Sequence, residues 1–233
     1  MTETTPAAVD VEFELPTEFH PLTLGSSPEE ARAELVARIG RRVSDVPAAA
    51  LDRLAQEYAA ASQWLDQAGV CYAATCLGLL DGELTLATLT LARAELDCRD
   101  PEVVDRIVEV LGAGDPEKRQ AKRYDLPCGP AAVAVGAAVE TVLPAAEAGT
   151  DEDFPVPIAS LEAWVPVPAA ADPTRRSAIV LRFSTPSLRH WEAYCPVLVE
   201  ALRTLRFPAA GGGAPAADPE PAQATSRIAA ALG

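Results

Sequence analysis

Few residues of this chain carry reactive side chains in a telling setting, and the stretch DLPCGP at 125–130 is the most pointed. It places Cys128 between two prolines and beside a glycine. A cysteine becomes a nucleophile when a helix N-terminus or a neighbouring histidine favours its thiolate. Here Pro127 suits position i+1 of a type I turn and Gly129 suits i+3, which makes Cys128 position i+2. The following residues read as a strand, so no helix N-terminus is expected beside the thiol, and its pKa is expected near the ordinary value of about 8.5. The chain has two histidines. His20, next to Pro21, reads as a surface or packing residue. His190 falls in the first turn of the last helix. A thiol enzyme would need the hairpin tip to fold over that helix start and bring Cys128 to His190. A turn residue is the better reading of Cys128.

Other chemistries lack their residues. Five cysteines, at 71, 76, 98, 128 and 195, form no CxxC pair, and no HxxE or HExxH arrangement accompanies the histidines, so no metal site is expected. Asp151, Glu152 and Asp153 lie in an acidic loop without the spaced oxygen ligands and glycine of a calcium loop. Neither GxGxxG nor GxxxxGK[ST] occurs, and GxSxG is missing as well. No cofactor and no catalytic constellation are expected.

The charge balance excludes two classes of partner. A formal net charge of −15 and a pI near 4.5 repel phosphate backbones, and the one basic cluster, EKRQAKR (117–123), is short. Nucleic acid and anionic membranes are therefore not expected partners. The first residues, MTETTPAAVDVEFELP, lack the basic and apolar regions of a signal peptide, and no apolar run reaches the roughly 18 residues of a membrane span. The odd, unpaired cysteine set fits a reduced compartment, so a cytoplasmic protein is expected.

These residues must be positioned by elements, and the hydrophobic periods locate them. VEFELPTEFHPLTL (11–24) reads as an extended opening, with Val11, Phe13 and Leu15 alternating against glutamates. Ser27, Pro28 and Glu30 form a capping box for a helix carrying Ala31, Leu35 and Ile39. A second helix spans about Pro47 to Ala68 and ends at Gly69. Asp81-Gly82 divides two Leu-, Thr- and Ala-rich runs as a two-residue hairpin, pairing Leu79 with Leu84, Leu77 with Leu86 and Thr75 with Thr88. On its other face Tyr72 meets Leu91 and Ala74 meets Leu89. Both faces are largely apolar, which calls for helices on both sides, at least in part.

Asp100-Pro101 opens a third helix. The strands KRYDL and AAVAVGAAVETV flank the Cys128 turn, the second with a valine face (Val133, Val135, Val139) and an alanine face open to close helix approach. IASLEAWVPVP is expected at a sheet edge because Pro166 cannot donate to a ladder. SAIVLRF (177–183) leads into a last helix, expected from Thr185-Pro186 to about Leu205, with the apolar stripe Trp191, Tyr194, Cys195, Leu198, Val199, Leu202 and Leu205. The expected organisation is a disordered start at 1–9, a single α+β domain at 10–208 and a flexible Ala/Pro/Gly-rich tail at 209–233. Within that tail SRIAAALG reads either as a short terminal helix or as a frayed end. The domain is expected to hold a mostly antiparallel sheet of about five to seven strands flanked by helices.

The strand AIVLRFSTP followed by a helix closing on ALRTLRF, together with the opening ELPTEFHPL, resembles the actinobacterial members of the Mog1/PsbP-like group. The two helices ahead of the hairpin depart from that pattern. The group shares no catalytic residues and its members mostly bind other proteins, some encoded near secretion machinery. The resemblance thus implies a non-catalytic, adaptor-like protein-interaction module whose partner is another protein. Two alternatives stand beside it. One is a carrier of a small hydrophobic ligand, with a pocket between sheet and last helix lined by Trp191, Tyr194 and Leu198. The other is a thiol enzyme built on Cys128 and His190. Trp164 and Trp191 read as core residues before they read as anchors.

Overall fold

Local turn chemistry and the period-2 apolar runs build a sheet of seven strands, all antiparallel to their neighbours, in a computed structural model that describes residues 10–39, 47–113, 118–144 and 151–208. The chain order is β1 (Phe19–Pro21), α1 (Pro28–Ile39), α2 (Ala48–Gln67), β2 (Val70–Leu80), β3 (Glu83–Glu95), α3 (Val103–Gly112), β4 (Arg119–Leu126), β5 (Gly129–Leu143), β6 (Phe154–Pro166), β7 (Ser177–Thr185) and α4 (Trp191–Thr204). In space the strands run β1-β2-β3-β7-β6-β5-β4, so two hairpins flank the central pair β7 and β6. The expected disordered start and tail, 1–9 and 209–233, lie outside the described residues, as does the 145–150 part of the acidic loop.

The hairpin β2–β3 has the register its sequence dictates: Leu79 faces Leu84, Leu77 faces Leu86, Thr75 faces Thr88, and Tyr72 faces Leu91. Its turn places both Asp81 (φ 54°) and Gly82 (φ 79°) in the left-handed region, as a type I′ turn requires. The start of α1 carries the capping box: the Ser27 N–H donates to Glu30 Oε2 at 2.8 Å, and the Glu30 N–H reaches Ser27 Oγ at 3.3 Å. Gly69, at φ 76°, closes α2.

One face of the sheet packs under α4. Ala74, Cys76, Leu89, Leu91, Val133, Leu161, Leu181 and Phe183 meet Tyr194, Val197, Leu198, Leu202 and Leu205 there, joined by Phe19 and by Val11, Phe13 and Leu15 of the opening segment. The Glu12 N–H donates to the Arg206 carbonyl at 3.0 Å and the Glu12 carbonyl accepts the Arg206 N–H at 2.8 Å, clamping the chain's opening to the residues after α4. On the opposite face α3 lies on the alanine side of β5: Val103 and Val104 pack on Ala132, with Ile107, Val108 and Trp164 around them. The small side chains permit that close approach. The pair α1–α2 forms its own small cluster of Ala31, Ala55 and Ala59, tied to the β1 side where Ser26 and Ser62 share a 2.8 Å hydroxyl bond.

Two sequence expectations need correction, and a third holds only in its weaker form. Strand β6 is internal, between β5 and β7; Pro166 is its last residue, so the missing N–H costs no ladder bond in mid-strand. The last helix begins at Trp191 instead of Pro186, because Thr185 ends β7 and its Oγ1 accepts the Ser187 N–H at 3.0 Å, holding a short 3-10 turn at Leu188–His190 before the helix. Helical cover of the β2–β3 hairpin is partial. On the face away from α4, Leu77 (63% exposed), Leu79, Leu84 (68%) and Leu86 stand open.

Candidate functional site

Helix α4 crosses the sheet without reaching its β4 edge, and an apolar groove of about 390 Å³ remains between them. Its floor is Val133 and Val135 of β5 with Leu161 of β6. One wall is the face of α4 that carries Trp191, Cys195, Leu198, Val199 and Leu202, residues spaced by whole helical turns. The far wall is Tyr124 to Leu126 on β4. Asp125 and Arg203 are the charged residues of the lining. The groove is open along its length, since Tyr124 (50%) and Val199 (54%) are exposed on its walls and Val135 (37%) on its floor.

The strand alternation explains the floor. Val133 and Val135 share one face of β5, while Ala132 and Ala134 turn to α3. Gly136 follows at the point where β4 presses closest: a Cβ there would meet the Lys118 carbonyl oxygen at 2.4 Å. Only glycine fits under that approach, on the strand face turned away from the groove.

Of the residues expected to line a pocket between sheet and last helix, Trp191 and Leu198 do so. Tyr194 does not. It points to the other flank of α4, where it is fully buried, 5.1 Å from the Phe183 ring and 6.4 Å from Phe19. Its hydroxyl pairs with Thr85 Oγ1 at 2.7 Å, and burial pushes its pKa up to about 12. The polar tip is satisfied inside the core, as a buried tyrosine requires. The β-strand contributions Tyr124, Val135 and Leu161 were not singled out by sequence reasoning as site residues, although the valine face of β5 was legible.

Cys128 occupies position i+2 of the β4–β5 turn, with Leu126 paired to Gly129 and Gly129 at φ 133°. The thiol is half-buried in a second cleft formed with Pro127, Pro168 and the stretch Arg203 to Phe207 at the far end of α4. Burial raises its pKa above the ordinary value, so the expectation of an unshifted thiol is corrected. His190 stands at the opposite end of that helix, at its N-cap position, 7% exposed and with a buried Nδ1 that has no hydrogen-bond partner among the described residues. The 14 residues of α4 separate the two ends; at about 1.5 Å per residue that is roughly 21 Å. The structure does not bring Cys128 and His190 together.

The remaining thiols are likewise pushed up by burial, Cys195 also by Glu192. Among the described residues no three His, Cys, Asp or Glu side chains gather as metal ligands, and no helix is long and apolar enough to cross a membrane. The groove lining suits apolar groups, with Asp125, Cys195 and Arg203 among its side chains. No known protein-family model matches the chain, and no curated protein matches it.

Proposed function

We propose that the protein is a non-catalytic protein-interaction module, adaptor-like and cytoplasmic, and that the groove between α4 and β4 receives an apolar segment of its partner. The observation that carries this reading is the form of the groove: largely apolar on floor and walls, yet open along one side. Small-molecule sites bury about 70–90% of their ligand and place several polar groups to orient it. A trough bounded by a helix and a strand suits a peptide segment laid along it, as in helix-in-groove recognition. The strand-and-helix ending that resembles the Mog1/PsbP-like group supports the same reading by analogy, and association with secretion machinery rests on that analogy alone.

A photo-crosslinking side chain placed at Val199 tests it in the native host, with the same group at Arg53 of α2 as the control. The reading expects a protein adduct from position 199 that position 53 does not give. Copurification of one apolar small molecule without a protein adduct favours the second reading, a hydrophobic-ligand carrier. That alternative is supported by Trp191 and Leu198 lining the groove.

A further inference from the structure

The last described residues, Phe207 and Pro208, leave the fold beside the groove. Arg203 lines both the groove and the neighbouring cleft, and that cleft continues through Arg206 and Phe207. Beyond Pro208 the sequence continues for 25 residues, 209–233. In that stretch Ile228 and Leu232 are the only large apolar side chains, four positions apart with three alanines between them. Every other residue there is Ala, Gly, Pro or polar.

We propose that the groove is the docking site of the chain's own segment 226–232, entered by Ile228 and Leu232; this rests on reading the groove as a receptor for a peptide segment. Three observations fix that occupant. The first is reach. The 17 residues from 209 to 225, with three glycines and three prolines, span at least about 20–25 Å, the root-mean-square length of a flexible chain of that size. The groove runs from Trp191 to Arg203 along α4, about 18 Å at helical rise, so the segment arrives within it.

The second is shape. Side chains four apart share a face when the backbone is helical, and the intervening alanines leave nothing to hold that face away from Val135 and Val199. The third is charge. Arg227, the segment's one charged side chain, precedes Ile228, and can pair with Asp125 on the β4 wall only if it is held away from Arg203 at the end of α4. The exposed leucines of the β2–β3 hairpin are a poorer seat. They lie on the opposite sheet face, near the start of α4, where Leu86 N–H bonds Ser187 Oγ at 3.1 Å. The tail so placed competes with the partner for the groove, and tethering supplies it at an effective concentration in the millimolar range.

Cys195 lines the groove and reports its occupancy. Iodoacetamide labelling at pH 8, resolved cysteine by cysteine by peptide mass spectrometry, compares the full chain, a chain ending at Pro208, and the full chain carrying I228D and L232D. Exposed Cys71 on β2 serves as the reference. Both variants should label Cys195 about 5–10-fold faster relative to Cys71, as expected when a tethered segment of roughly 0.1 mM affinity is lost. The protection in the full chain should not change with protein concentration. Equal Cys195 rates in all three proteins overturn the proposal. Protection that fades on dilution overturns it too, because the occupant is then the tail of a second copy.

The crosslink from Val199 keeps the two readings apart. A partner adduct formed by full-length and shortened chains alike, with no Cys195 protection, leaves the interaction module standing and removes the tail from the groove. Cys195 protection without any partner adduct from the shortened chain does the reverse.

Discussion

Cys128 shows how a single residue is decided by its surroundings. Its thiol faces Pro168 and the end of α4, with no helix N-terminus at hand, and burial alone moves its pKa upward. Cys128→Ser should therefore fold normally and keep the binding of the native protein. Rate-versus-pH labelling of this thiol should place its midpoint above about 8.5; a thiolate already present at pH 6 would contradict the turn assignment. Gly129→Val should instead cost about 1–2 kcal/mol in a denaturant titration, since φ of 133° is a conformation that β-branched residues avoid. Asp172 supplies a pH-dependent contribution. Burial pushes its carboxyl up, but hydrogen bonds from Thr174 and Ser177 and from the Arg176 and Thr174 N–H groups outweigh it, leaving a pKa of about 2. The unfolded value is about 3.9. A depressed folded pKa stabilises above the unfolded value and loses that contribution as pH falls through the folded one. Asp172→Asn should thus be less stable than the native protein by about 2 kcal/mol at pH 7, with the gap closing between about pH 4 and pH 2.

Helix α4 both closes the core and forms a wall of the groove. Leu198 and Leu202 are buried against the sheet while their flanks line the groove. Leu198→Ala should destabilise by about 2–5 kcal/mol, through lost transfer energy and the cavity left behind. A thermal melt indistinguishable from the native one would mean that α4 does not seat as described. Strand β3 makes the contrasting case. Leu84, with its partner Leu79, is exposed on the bare hairpin face. Replacing both with Thr keeps β propensity and should change stability by no more than about 0.5 kcal/mol, read as the denaturation midpoint.

The whole molecule is acidic, with a formal net charge of −15, and its basic side chains are largely engaged in pairs such as Arg119 with Glu162 at 2.7 Å and Arg123 with Asp105 at 2.7 Å. Such an acid-rich surface repels a phosphate backbone. Titration with duplex DNA or anionic vesicles should show no salt-sensitive binding near neutral pH. Sub-micromolar affinity that weakens steeply with salt would overturn that reading of the charge.

What the sequence determined by itself is the set of locally encoded features. The Asp81-Gly82 turn and its full register, the capping box at Ser27, the stop at Gly69 and the Cys128 turn are all dictated within a few residues, by φ preferences and by the period of 2 along a strand. The alanine face of β5 announced a close helix, and α3 supplies it. Strand order was not encoded locally: Pro166 argued for an edge, but a proline at the end of a strand costs an internal ladder nothing. The start of α4 was likewise settled by a tertiary contact, the Thr185 hydroxyl bonding both the Ser187 N–H and the Leu86 carbonyl. The helical period placed Tyr194 and Leu198 on one apolar stripe. Only the position of α4 over the sheet decided that Tyr194 is buried beneath it while Leu198 borders an open groove, because which flank of a helix meets solvent depends on how far the sheet extends past it.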